Sequence, residues 1–158
     1  MNITTTPATP RDVPTILALI RELAEYEKLL DRVSATEASL RRDLFGPRPY
    51  AEVLIGRLGA EPVGYALFFH NYSTFLAKPG IYLEDVFVKP AARGKGVGKA
   101  LLRAVARAAR DRGCGRVEWA VLKWNTPAIE FYDSLGAEPQ NEWTTYRMDE
   151  AAISALAE

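Results

Sequence analysis

The sequence predicts an α/β (α+β) fold in which helices flank a central mixed sheet. Apolar spacing switches repeatedly between a helical period near 3.6 and a strand period of 2. A glycine-rich turn, Arg93-Gly94-Lys95-Gly96-Val97-Gly98-Lys99, joins an apolar run, Ile81 to Val88, to a helical pattern starting near Val97. The length of 158 residues, 48% of them hydrophobic, suits one globular domain over residues 1–158 with a sizeable core.

Asn2 to Thr6 alternates and reads as a first strand. Thr9 or Asp12 can cap a helix with Pro10 or Pro14 in its first turn. Val13, Ile16, Leu17, Ile20, Leu23 and Ala24 carry that helix to about Leu29. Ser34-x-x-Glu37 suggests a capping box for a second helix, through Leu40 and Leu44 to Phe45, stopped at Gly46-Pro47. Ala51 to Leu58 and Val63 to His70 form a hairpin about the turn Gly59 to Pro62. A loop, Asn71 to Gly80, leads to the strand Ile81 to Val88. Val97, Leu101, Ala104, Val105 and Ala108 stripe the next helix, which Gly113 ends. Arg116 to Leu122 reads as a strand. Thr126-Pro127 opens a helix that Gly136 closes. Trp143 to Met148 reads as a last strand and Ala151 to Ala157 as a short helix. The order is βααβββαβαβ.

The glycine turn reads as a phosphate cradle. Glycines let the backbone approach a ligand closely, and the free N–H groups and dipole of the following helix favour an anion. Arg93, Lys95 and Lys99 add charge. A Walker A loop would need glycine at 93 and a hydroxyl at 100, where the chain has Arg93 and Ala100. A dinucleotide fingerprint from Gly94 would need glycine at 99, where Lys99 stands. A plain glycine-rich turn is the remaining alternative.

Composition narrows the partners. Twenty basic and 20 acidic residues cancel, which argues against general nucleic-acid binding. The single cysteine, Cys114, excludes an internal disulfide and a multi-cysteine metal site, and no metal is expected. No apolar run approaches a membrane span and the first residues carry no signal-peptide core, so the cytoplasm is the expected location.

The pattern Arg93-Gly94-x-Gly96-x-Gly98 resembles the acyl-coenzyme A pyrophosphate loop of the GCN5-related N-acetyltransferases, or GNAT superfamily. Tyr82 to Val88 before the loop, Trp124-Asn125 at a later helix start, and the spacing Asn125, Ala128, Tyr132, Gly136 resemble the same family. With Leu23-Ala24-Glu25-Tyr26-Glu27 in the first helix, the chain is similar to the spermidine/spermine branch, also called the diamine or thialysine acetyltransferases. The resemblance implies a GNAT fold with a mostly antiparallel sheet, acetyl-CoA as co-substrate, a small primary amine as acceptor, direct attack in a ternary complex, and a homodimer. The alternatives are a protein or peptide acetyltransferase and a non-catalytic coenzyme A sensor.

It further implies site residues. Phe87, Val88, Arg93, Gly94, Lys95, Gly96, Val97, Gly98, Lys99 and Asn125 would hold the donor; Asn125 can equally be a helix cap. The strand backbone around Phe87, splayed from the next strand, would stabilise the developing oxyanion. Tyr132, otherwise a half-buried aromatic, would protonate the leaving thiolate. Glu84, otherwise an exposed strand carboxylate, would draw in the ammonium and accept its proton through water. Alternation places Glu84 and Asp85 on opposite faces, so that only one meets the cleft. Tyr26, Glu27, Tyr72, Phe75, Asp85 and Trp143 would meet a cationic acceptor. The loop Asn71 to Leu76 is less acidic than a polycation site would suggest, which puts a small diamine, a lysine-like amino acid or thialysine on at least an equal footing with a polyamine as acceptor. His70 reads as a surface or core histidine.

Overall fold

The computed structural model describes residues 2–158. The chain forms two compact units, Met1–Ala120 and Val121–Glu158. The first holds a five-stranded sheet in the order β1-β2-β3-β4-β5. Its strands are β1 (Ile3–Pro7), β2 (Glu52–Leu58), β3 (Glu61–Ser73), β4 (Lys78–Val88) and β5 (Val117–Glu118). All neighbours are antiparallel except β4 and β5. The mixed, mostly antiparallel sheet flanked by helices is therefore as the sequence predicts.

Helix α1 (Val13–Tyr26) covers one face of the sheet. Pro14 fits its first turn, where an amide would lack a partner in any case. Its buried side chains Val13, Ile16 and Leu17 pack with Val53 and Ile55 of β2, Tyr65 of β3 and Phe87 of β4. α1 stops at Tyr26, short of Leu29, and Lys28 takes a φ of 61° just beyond it. Leu40 of α2 (Glu37–Phe45) joins the same core. The cap of α2 is Thr36, two residues later than the Ser34 box suggests. The Thr36 Oγ1 accepts from the Ser39 amide at 3.1 Å, and the Ser39 Oγ accepts from the Thr36 amide at 3.0 Å.

Helix α3 (Val97–Asp111) packs on the opposite face, where two glycines make room. A Cβ on Gly56 would lie 2.9 Å from Val97 Cγ1, and one on Gly64 would lie 3.4 Å from Leu101 Cδ1. Most of the expected loop 71–80 is strand. β3 and β4 pair out to Ser73 and Lys78, a polar two-stranded ribbon whose backbone ladder continues after the apolar pattern has ended. β5 is only two residues long, against the seven expected for Arg116 to Leu122.

The second unit holds α4 (Thr126–Ser134) and α5 (Glu150–Leu156). The N-cap of α4 is Asn125 rather than Thr126, with Pro127 in the first turn. Asp149 caps α5 by accepting the Ala152 amide at 2.9 Å. No strand forms over 143–148. A strand needs a ladder partner, and among the described residues of this unit none is present; Tyr146 is 93% exposed. Among the described residues, no helix is long and apolar enough to cross a membrane.

Candidate functional site

The first unit assembles a site where β4 runs into α3. The Lys89 amide closes the β3–β4 ladder by donating to the Val63 carbonyl at 2.8 Å, and Lys89 Nζ lies 3.8 Å from Glu22 of α1. A single 3-10 turn, Pro90–Ala92, then leads to the loop. Gly94 and Gly96 adopt φ of +77° and +94°, a region that suits glycine. Nothing lies within 4 Å of a Cβ on Gly94, so the glycine serves the backbone conformation rather than making space. Gly96 caps α3, and the first helical bond runs from the Ala100 amide to the Gly96 carbonyl. The amides of Val97, Gly98 and Lys99 therefore lie at the open helix end, with exposed Lys95 and Lys99 beside them.

Arg93 does not simply add its charge to this cradle. Its Nε donates to the Val88 carbonyl at 3.1 Å, and its guanidinium lies 4.4 Å from the Tyr26 ring centroid and 5.8 Å from that of Phe87. It braces the loop against the end of α1.

The open edge of β4 is the second part. β5 pairs with β4 only at Ile81 and Tyr82. Beyond that point, among the described residues, β4 is paired on one side only. The ladder bond of Lys89 and the pairing of Tyr65 with Phe87 set the alternation. The Phe87 amide belongs to the β3 ladder, and the amides of Val86 and Val88 face the open edge. Pairing with β5 is recorded only at Ile81 and Tyr82, and the amides at the open edge near Phe87 are those of its neighbours. The Phe87 side chain is 4% exposed and serves the core.

Carboxylates form the third part. The β3–β4 register slips between Leu67 and Phe68, so Glu84 has no residue opposite it. This bulge breaks the alternation that would put Glu84 and Asp85 on opposite faces. The charge of Glu84 acts on both Asp85 and Tyr65. Tyr65, fully buried, donates from its hydroxyl to Asp85 Oδ2 at 2.8 Å. Burial, and then the charge of Glu84, push the Asp85 carboxyl above its ordinary range, while the Tyr65 hydrogen bond opposes them. Burial and then Asp85 push Glu27 up as well. Burial, then the charge and hydrogen bond of Asp85, push the Tyr65 phenol far up, so it stays a donor.

The structure thus brings Tyr26, Glu27, Glu84, Asp85 and Phe87 to one end of β4, next to the loop 93–99. It does not bring Phe75 there. Phe75 is 97% exposed at the hairpin tip. Asp85 lies seven residues beyond Lys78, about 23 Å at the usual strand rise. Tyr72, 64% exposed, is on the same polar ribbon. Asn125 and Tyr132 lie on α4, and Trp143 follows in the second unit, 80% exposed. The Phe131 and Tyr132 rings are 5.8 Å apart. His70 Nε2 lies 3.3 Å from Arg112 Nη1, and Arg112 holds Glu52 through bonds of 2.7 and 2.9 Å. That group ties α3 to β2. Among the described residues, no cluster of three or more His, Cys, Asp or Glu could hold a metal ion. Sequence reasoning missed Tyr65. One tyrosine in an apolar strand carries no spacing signal, and only the ladder shows that its hydroxyl reaches Asp85.

The cradle, the open strand edge and the α3 dipole together fit a pyrophosphate-bearing thioester. The acetyltransferase (GNAT) family model matches residues 17–137. The chain belongs to the GNAT family. The thialysine N-epsilon-acetyltransferase of Bos taurus is 42% identical over 157 residues, covering 92% of each chain. The L-ornithine N5-acetyltransferase NATA1 of Arabidopsis thaliana is 36% identical, covering 94% of this chain and 85% of its own. Among solved structures, an integron cassette protein from the mobile metagenome of V. cholerae superposes with a TM-score of 0.84 at 25% identity, covering 100% of this chain and 99% of its own. An aminoglycoside acetyltransferase from an uncultured soil sample, in complex with sisomicin, reaches 0.77 at 21% identity, covering 93% and 97%, and shows the shared fold. This GNAT protein is an acetyltransferase, and enzymes of the family use acetyl-CoA. The family match crosses the boundary between the two units.

Proposed function

We propose that this GNAT enzyme acetylates a terminal primary amine of a small, lysine-like or diamine substrate by direct attack in a ternary complex. One observation carries the reading: Glu27, Glu84 and Asp85 gather at the open edge of β4. Burial and the charge of Asp85 raise the cost of ionising Glu27, and burial and the charge of Glu84 raise that of Asp85. A cation brought among them relieves that cost. A cationic amine is therefore the acceptor this end of the site favours. The relatives named for thialysine and ornithine support the same class.

Acetyl-CoA supplies the thioester carbonyl that the amine attacks. The amides of Val97, Gly98 and Lys99, with the Lys95 and Lys99 side chains, hold the pyrophosphate. An open-edge amide, that of Val86 or Val88, donates to the carbonyl oxygen as it gains charge. A free alkylamine has a pKa of about 10.4 and arrives as an ammonium. Glu84, exposed in the bulge, takes its proton through water. Tyr132 gives a proton to the departing thiolate; this role rests on the spacing Asn125, Ala128, Tyr132, Gly136. Asn125 caps α4 and is proposed to bond the pantetheine or adenosine side of the donor.

The test is an acceptor panel at fixed acetyl-CoA: putrescine, spermidine, ornithine, lysine, thialysine and an N-terminal peptide. Transfer to the amino acid or diamine acceptors is expected. Transfer to the peptide alone would move the enzyme to protein substrates, and tight coenzyme binding with no transfer would make it a sensor.

A further inference from the structure

The hydrogen bond from Tyr65 to Asp85 has a consequence for acceptor recognition. Tyr65 lies on the α1 face of the sheet, within the core formed by Val13, Ile16 and Leu17. Its hydroxyl is a polar atom in an apolar setting and needs a partner there. Tyr65 sits opposite Phe87, and Asp85 is two positions along β4, the diagonal neighbour that a long aromatic can reach. The hydroxyl takes Oδ2. The bond is 2.8 Å long and comes from the core side of the sheet. One carboxylate oxygen is thus pinned from the core, at the end of β4 where Glu27 and Glu84 also act on or feel this charge.

We infer that Tyr65 is a positioning residue for the acceptor, holding Asp85 by Oδ2 so that Oδ1 meets the acceptor's cationic group. The inference rests on the acceptor reading above. Because the phenol is kept from ionising, the clamp does not open over the working pH range. The bond also favours the ionised carboxylate, against the burial that opposes it. The titratable groups coupled to Asp85 are Tyr65 from β3, Glu84 from β4 and Glu27 after α1, while Arg93 lies against the Tyr26 and Phe87 rings.

The test is a double-mutant cycle with Tyr65→Phe and Asp85→Asn in the full chain, measured with the best acceptor from the panel. Tyr65→Phe keeps the ring and removes the bond. It should raise acceptor KM about tenfold or more, the scale of a hydrogen bond to a charged group, and leave the KM for acetyl-CoA within about twofold. The acid limb of kcat/KM for the acceptor should move to higher pH, since losing the bond raises the Asp85 pKa further. In the Asp85→Asn background, where the amide keeps the Tyr65 bond but has no charge to present, Tyr65→Phe should leave acceptor KM unchanged. If Asp85→Asn raises acceptor KM while Tyr65→Phe leaves both KM and the acid limb in place, Tyr65 is only a core residue and the inference is overturned. If Asp85→Asn, Glu27→Gln and Tyr65→Phe all leave acceptor KM unchanged, the carboxylate reading falls and the inference with it. A lowered melting temperature alone, with kinetics intact, also overturns it.

Discussion

Replacing Gly96 by alanine tests the cradle without touching a charge. Gly96 has a φ of +94°, and a Cβ there would find its nearest neighbour, Ile3 Cδ1, at an ordinary 3.5 Å. There is no clash, so the cost is backbone strain, about 1–3 kcal/mol for an alanine. If the strain persists, the melting temperature falls by roughly 2–4 °C per kcal/mol for a chain of this size. If the peptide rotates to relieve it, the amides at the start of α3 turn away from the pyrophosphate. Each charge-assisted bond so lost is worth about 1.5–3 kcal/mol, which weakens coenzyme A binding roughly ten- to hundredfold. Gly59→Ala is the control. Gly59 has a φ of +59°, open space around it, and a place in the β2–β3 turn outside the loop 93–99. Isothermal titration with coenzyme A and a thermal melt are run on both variants. Gly59→Ala should lose stability and keep the coenzyme; Gly96→Ala should lose the coenzyme. Equal coenzyme affinity in Gly96→Ala and the parent, with the same thermal loss as Gly59→Ala, would refute the cradle.

Asp85 makes a pH prediction. Its carboxyl is held above its ordinary value of 3.8, so the folded chain binds this proton more tightly than the unfolded chain. Its ionisation therefore subtracts stability as pH rises from the unfolded pKa through the folded one, and the loss is complete above both. Asp85→Asn removes that loss, and its amide oxygen can still accept from the Tyr65 hydroxyl. The variant should melt above the parent at pH 7, with the gap closing toward pH 3.8; a pH-independent gap would contradict this. Tyr132→Phe should lower kcat by about a hundredfold, a usual scale for a lost general acid, with coenzyme affinity unchanged in titration; an intact kcat would remove Tyr132 from the chemistry.

The sequence by itself determined the fold class and the glycine-rich turn into α3. Both are written in local terms. Val13, Ile16 and Leu17 recur at the helical period, and Gly94 and Gly96 supply positive φ that few other residues tolerate. The helix end after the loop then follows from the pattern of apolar residues. Strand limits were less legible. Ribbon residues such as Asn71 and Tyr72 pair through backbone groups that leave no apolar signature. Residues 143–148 carry strand composition without a partner to pair with.

Only the tertiary structure decided how the carboxylates meet. Strict alternation separates Glu84 from Asp85; a one-residue slip against β3 unites their action. That slip belongs to the pairing of two strands and not to either strand alone. The same holds for Tyr65, whose hydroxyl finds Asp85 across the ladder, and for Arg93, which the structure turns from the cradle onto Tyr26 and Val88. Local spacing encodes which residues share an element. Cross-strand register decides which side chains touch, because a shift of one position exchanges the faces that side chains occupy.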